Sequence, residues 1–136
     1  NKIWNIGRFI EMNRKAPNSK FQETNKSKNS NLKILNELKK EFKKEKKQYI
    51  KYMDSYQFSK ALGLVYEFIW HRFADYFIEQ LKDEVINGNI EALEELKSIN
   101  LENLKMLHPF IPFVTETVWK VFNKEGSSIL LERLKG

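Results

Sequence analysis

Apolar side chains return every three or four residues along most of this chain, the spacing that keeps them on one side of an α-helix. Ile3, Ile6 and Ile10 set the first stripe, which predicts a helix over residues 1 to about 13. Residues 15–31 break the period. An Ala-Pro-Asn-Ser stretch leads into a polar Asn/Ser/Lys run, the composition of a mobile linker that cannot repay its ordering entropy. A second stripe, Leu35, Leu38, Phe42, Tyr49 and Tyr52, predicts a helix over about 31–53, with Glu45 standing in one apolar slot. Its opposite side carries Lys39, Lys40, Lys43, Lys44, Lys46, Lys47 and Lys51, expected to face solvent. Asp54-Ser55 reads as the start of a third helix, with Phe58, Leu62, Val65, Ile69, Phe73 and Tyr76 inward and Gly88 as its left-handed terminator. Asn89 is placed to cap a fourth helix through Ile90, Leu93, Leu96, Leu104 and Leu107. His108-Pro109 ends it, because proline disfavours helical backbone in the residue before it. Pro112 suits the first turn of a fifth helix reaching about Phe122, and 127–131 reads as a short extended tail. The fold expected is all-α: one domain, residues 1–136, built as a bundle of four to five helices.

The centre of the third helix tests that reading. Residues 61–81 hold 14 apolar residues in 21, dense enough to suggest a membrane span. Glu67, His71, Arg72, Asp75 and Glu79 interrupt the run, and that many ionisable groups are too costly in hydrocarbon, so the segment is expected at the heart of a soluble bundle. The start has no apolar run before a small-residue cleavage site, and no capping or acidic residues open the first helix. A domain within a longer chain is therefore expected. The sequence has no cysteine, which excludes disulfides, thiolate metal sites and a Cys nucleophile. Its net charge of +6 is unevenly spread: residues 1–60 carry 16 Lys/Arg against 6 Asp/Glu, residues 61–136 carry 8 against 12. A basic first half suits a polyanionic partner; a merely solvated lysine face gives the same count.

Catalytic constellations are missing. The five glycines are scattered, so no phosphate-cradling loop is present, and His71 and His108 fall on different helices without metal-ligand spacing. No catalytic residue, metal site or cofactor is expected; His108 reads as a helix-terminal ring capping carbonyls. The first helix is more suggestive. Steps of 100° bring Asn1, Lys2, Asn5, Arg8, Phe9 and Met12 within about a third of the circumference, away from the isoleucine stripe. RNA loops are read by bases stacked on aromatics and paired with Arg or Asn, while Lys attracts phosphate without regard to sequence. The same spacing also fits Phe9 as the edge of the core beside solvated polar residues, and spacing alone leaves both open.

Three stretches go beyond periodicity. Asn1-Lys2-Ile3-Trp4-Asn5-Ile6-Gly7-Arg8-Phe9 resembles the Asn-Lys-Leu-Trp-Asn-Ala-x-Arg-Phe signature that opens the anticodon-binding domain of class I synthetases. Tyr66-Glu67-Phe68-Ile69-Trp70-His71-Arg72-Phe73-Ala74-Asp75-Tyr76-Phe77-Ile78-Glu79 is similar to the Tyr-Glu-Phe-x-Trp-x-x-Phe-Cys-Asp-Trp-Tyr-x-Glu run of valyl-tRNA synthetases. Leu107-His108-Pro109-Phe110-Ile111-Pro112-Phe113-Val114-Thr115-Glu116 resembles their Leu-His-Pro-Phe-Met-Pro-Phe-Ile-Thr-Glu. Departures occur at 31–35, where Asn-Leu-Lys-Ile-Leu replaces Asp-Arg-Trp-Ile-Leu, and at Ala74, a frequent Cys. The resemblance implies an anticodon-binding helical domain, with a valine tRNA and the remaining synthetase domains as partners and neither membrane nor DNA. The ATP-handling signatures His-Ile-Gly-His and Lys-Met-Ser-Lys-Ser are absent from this stretch, so it implies that ATP and Mg2+ are used elsewhere in a cytoplasmic enzyme. Lys2, Arg8 and Phe9 match the family's anticodon-loop residues; Asn5 and Glu67 match its pattern as further candidates. The alternatives are the same domain of an isoleucyl or leucyl enzyme, or a basic helical protein-interaction bundle.

Overall fold

A computed structural model describes residues 2–15 and 25–122, with side chains over 2–14 and 32–120. Five helices follow one another: α1 (Lys2–Lys15), α2 (Asn25–Asp54), α3 (58–86), α4 (Ile90–Leu107) and α5 (Pro112–Phe122). The described residues contain no strand, in line with the expected all-α bundle. Helix α2 begins at Asn25, several residues before the expected start, so residues 25–31 are helical rather than linker. The rest of the expected linker and the expected extended tail lie outside the described residues.

Ile3, Ile6 and Ile10 are buried as a row, and with them α1 packs on α4 and α5. Leu35, Leu38 and Tyr49 bring α2 into the same core, with Phe42 and Tyr52 at its margin. Lys46 departs from the expected outer lysine face. It is largely buried, 3.3 Å from Glu102 of α4. Lys39 pairs with Glu95 of α4 at 3.7 Å, while Lys40, Lys43, Lys44, Lys47 and Lys51 face solvent as expected.

The turn between α2 and α3 reverses the sequence reading. Asp54-Ser55 closes α2 instead of opening α3. Ser55 Oγ donates back to the carbonyls of Lys51 (2.9 Å) and Tyr52 (3.3 Å). Gln57 N–H reaches Tyr52 O at 2.8 Å and Tyr56 N–H reaches Met53 O at 3.1 Å, the paired bonds of a Schellman closure. Tyr56 takes the left-handed position, φ 61°, where glycine is usual. Gly88 does the same job at the end of α3, φ 98°, as expected. Asn89 then caps α4, its Oδ1 accepting from Ala92 N–H at 3.1 Å; Leu93, Leu96, Leu104 and Leu107 are buried as expected, but Ile90, in the first turn, is exposed. His108 is corrected: its ring does not cap α4 but meets the Thr115 hydroxyl of α5 at 2.8 Å. Thr115 Oγ1 also lies 3.1–3.2 Å from the Pro112 and Ile111 carbonyls, to which it donates, so it accepts from His108. That bond ties α5 to the end of α4.

Helix α3 is unusually wound. Its segments Phe58–Glu67 and Glu79–Ile86 are α-helical, but Phe68–Ile78 between them is π-helical. Its buried row is Ala61, Val65, Ile69, Phe73, Phe77, Leu81 and Val85, one residue in every four. On an α-helix such a row drifts about 40° per step. Over a π stretch, with roughly 4.4 residues per turn, it drifts about 30° the other way. Alternating the two windings keeps the row on the core. The α-period reading therefore misplaced Phe58 and Leu62, which are exposed, and Tyr76, which is half-buried.

Candidate nucleic-acid interface

The winding of α3 also straightens the rows beside its buried one. Glu67, His71, Asp75 and Glu79 stand in one line. His71 lies 3.8 Å from Glu67 on one side and 3.8 Å from Asp75 on the other. Asp75 in turn holds Lys2 of α1, Oδ1 to Nζ, at 2.8 Å. The adjacent row begins with Tyr66 and Trp70, stacked at 4.6 Å between centroids, and continues through Ala74, Ile78 and Lys82. A third pairs Arg72 with Tyr76: the guanidinium sits 4.6 Å from the ring centroid while its Nε donates to Glu41 of α2 at 2.8 Å. Arg72 is thereby committed to clamping α2 against α3.

Where α1 crosses α3, these rows and the α1 polar face enclose a groove of about 340 Å³. Lys2, Asn5, Ile6 and Phe9 line it from α1, and Ala74, Asp75, Ile78, Glu79 and Lys82 from α3. The floor is aliphatic, Phe9 offers a half-buried ring, and polar groups of both hydrogen-bonding senses stand around it. Lys2 and Lys82 balance Asp75 and Glu79, so the groove is close to neutral. A pure phosphate site would not carry two carboxylates. A concavity with an aromatic ring, an aliphatic floor and mixed donors and acceptors suits a flat heterocycle with polar edges.

The sequence-predicted residues divide accordingly. Lys2, Asn5 and Phe9 meet in the groove. Phe9 packs against the core and also lines the groove. Arg8 lies outside the groove on the solvent side of α1, in no ion pair among the described residues. Glu67 is exposed and stands two steps along its row from the Lys2–Asp75 pair, connected through His71. The α3 lining residues Ala74, Asp75, Ile78, Glu79 and Lys82 were not legible as site residues. The fourfold spacing of Glu67, His71, Asp75 and Glu79 was the available signal, but α-helical stepping spreads it around the helix.

Two further surfaces differ in character. A shallow concavity of about 380 Å³ between α1 and α5 is lined by Trp4, Phe113, Val114, Thr117 and Val118, with Phe113 88% exposed. It has no charged lining. The outer face of α2 presents the solvent-facing lysines. Among the described residues no cluster of three or more His, Asp or Glu could hold a metal ion, and no helix is long and apolar enough to cross a membrane.

A family model described as the anticodon-binding domain of tRNA ligase matches residues 35–135. The chain is 40% identical over 129 residues to a valine–tRNA ligase of Wigglesworthia glossinidia brevipalpis, an alignment covering 91% of this chain and 14% of that protein. It is 35% identical over 136 residues to that of Bacillus thuringiensis subsp. konkukian, covering 95% and 15%. With the valine–tRNA ligase of Lactobacillus johnsonii it shares 34% over 140 residues, covering 98% and 15%. The chain spans only 13–15% of the length of the curated relatives it matches.

Proposed function

The chain belongs to the family of anticodon-binding domains of tRNA ligases, and on that premise we propose that it binds the anticodon stem-loop of a valine tRNA. One unpaired base enters the groove between α1 and α3 and stacks on Phe9, with its edge held by Lys2 and Asn5. Arg8, outside the groove, takes an adjacent phosphate or base, and Glu67 approaches the loop from its place along the α3 row. The lysine face of α2 adds attraction that is sensitive to salt and blind to sequence. The longer protein is a valine–tRNA ligase of the cytoplasm, whose other domains use ATP and Mg2+ to activate valine; this domain positions the tRNA for them. The groove supports this reading most directly, because an aromatic ring beside balanced charges favours a base over a phosphate.

Fluorescence anisotropy of a labelled valine anticodon stem-loop, against the same loop with its anticodon altered, tests it. The 136-residue chain should prefer the valine anticodon, and Phe9→Ala should weaken that binding by about tenfold or more while leaving the helical spectrum intact. Equal binding of both loops, unchanged in Phe9→Ala, would overturn it in favour of a basic interaction surface.

A further inference from the structure

Lys2 is the groove's best-placed cation, yet it is not available as a free charge. Its ammonium sits 2.8 Å from Asp75, which is more exposed than Lys2 itself. An ammonium with a carboxylate beside it loses much of its pull on a phosphate, and one of its three N–H donors acquires a fixed direction. Two donors remain, and Lys2 lines the groove together with Asn5 and Phe9. His71, its neighbour along the α3 row, stands 3.8 Å from the other oxygen of Asp75.

We infer that Asp75 is a positioning residue for Lys2: it converts a flexible phosphate-binding cation into an oriented donor that discriminates between bases. The inference rests on the proposed base-binding role of the groove. Removing the Asp75 charge releases Lys2 to follow the nearest phosphate. Binding then becomes less selective and more dependent on salt, even though a negative charge facing the RNA has gone.

The test compares the wild-type chain with Asp75→Asn, Asp75→Glu, Lys2→Ala and the Lys2→Ala/Asp75→Asn double variant. Matched and altered anticodon stem-loops are bound to each across a salt series, and circular dichroism checks the fold. Asp75 is exposed enough for these variants to keep it. Asp75→Asn is expected to reduce the preference for the matched loop by about tenfold and to steepen the salt dependence by about one phosphate contact. Asp75→Glu is expected to restore both. In the Lys2→Ala background Asp75→Asn should change neither, because the two side chains act as a unit. A folded Asp75→Asn variant with wild-type preference and salt slope overturns the inference while leaving the functional reading standing. A wild-type chain that does not distinguish the two loops sinks the functional reading and the inference with it.

Discussion

Tyr49 joins the C-terminal part of α2 to the end of α4 through one bond, and removing its hydroxyl tests how much that bond carries. The side chain is 3% exposed and its OH donates to the Met106 carbonyl at 2.9 Å. Met106 lies in the last turn of α4, where backbone carbonyls lose their helical partners, so Tyr49 satisfies an otherwise orphaned acceptor. Tyr49→Phe keeps the ring and deletes the donor. Losing a neutral hydrogen bond and leaving a buried carbonyl unpaired should cost about 1–2 kcal/mol at neutral pH. Alkaline pH gives an independent reading of the same contact. Burial pushes the Tyr49 phenol up from its usual 10.0 to about 12. A group whose pKa is raised on folding contributes stability that is complete below the unfolded value and lost as pH climbs through the folded one. Here the window is about pH 10 to 12, and two units correspond to about 2.7 kcal/mol. The phenylalanine variant has nothing to lose in that window. Its deficit should shrink from pH 10 and vanish near pH 11, where the accumulated loss in the wild type reaches about 1.4 kcal/mol. Urea unfolding of both chains at a series of pH values measures this, and the difference between them cancels titrations they share. The midpoint should move at unchanged slope. A variant as stable as wild type at pH 7, or a deficit constant to pH 12, would refute both the bond and the burial assigned to it.

Two more outcomes follow from strain and from misplaced charge. Tyr56 holds a left-handed backbone that costs a non-glycine residue about 1 kcal/mol, so Tyr56→Gly should raise the melting temperature by a few degrees, less whatever the ring contact with Phe58 contributes. Glu45 is raised above the ordinary carboxylate range, first by burial and then by Glu41, which means its ionisation opposes folding at neutral pH. Glu45→Gln should therefore stabilise the chain at pH 7 by at least the roughly 0.3 kcal/mol of the like-charge contact. That gain should fade in denaturation curves taken as pH drops into the carboxylate range, since protonating Glu45 in the wild type removes the same penalty.

Much of this molecule could be read from residues that obey one local rule. Gly88 and Asn89 are the residue types that a helix stop and a helix start require, and both were legible. The isoleucines of α1 keep an undisturbed α period, so its core face and its polar arc were legible too. The misses occur where a local rule has two outcomes. Asp54-Ser55 has the composition of a cap, but its hydroxyl serves the carbonyls of the preceding helix, and the left-handed residue that ends α2 is a tyrosine. Lys46 looks solvent-facing until Glu102 arrives from another helix. Of the groove's lining, Lys2, Asn5 and Phe9 of α1 are singled out by spacing and resemblance, whereas the residues of α3 are not, because a π stretch leaves no mark in an assumed 100° step.

That winding gives α3 an arithmetic. Residue numbers leaving a remainder of one when divided by four belong to the core, from Ala61 to Val85. A remainder of two marks the line from the Tyr66–Trp70 stack to the groove floor, and a remainder of three marks the ionisable line that grips Lys2. Point substitutions leave the assignment of every other position intact. A single-residue deletion within 68–78 would instead pass each later residue to the position before it, setting the groove-floor line with its Lys82 against the core, the ionisable line onto the groove floor, and the core line out of the core. The helix can vary its letters freely at its surface, but it has almost no freedom in its length.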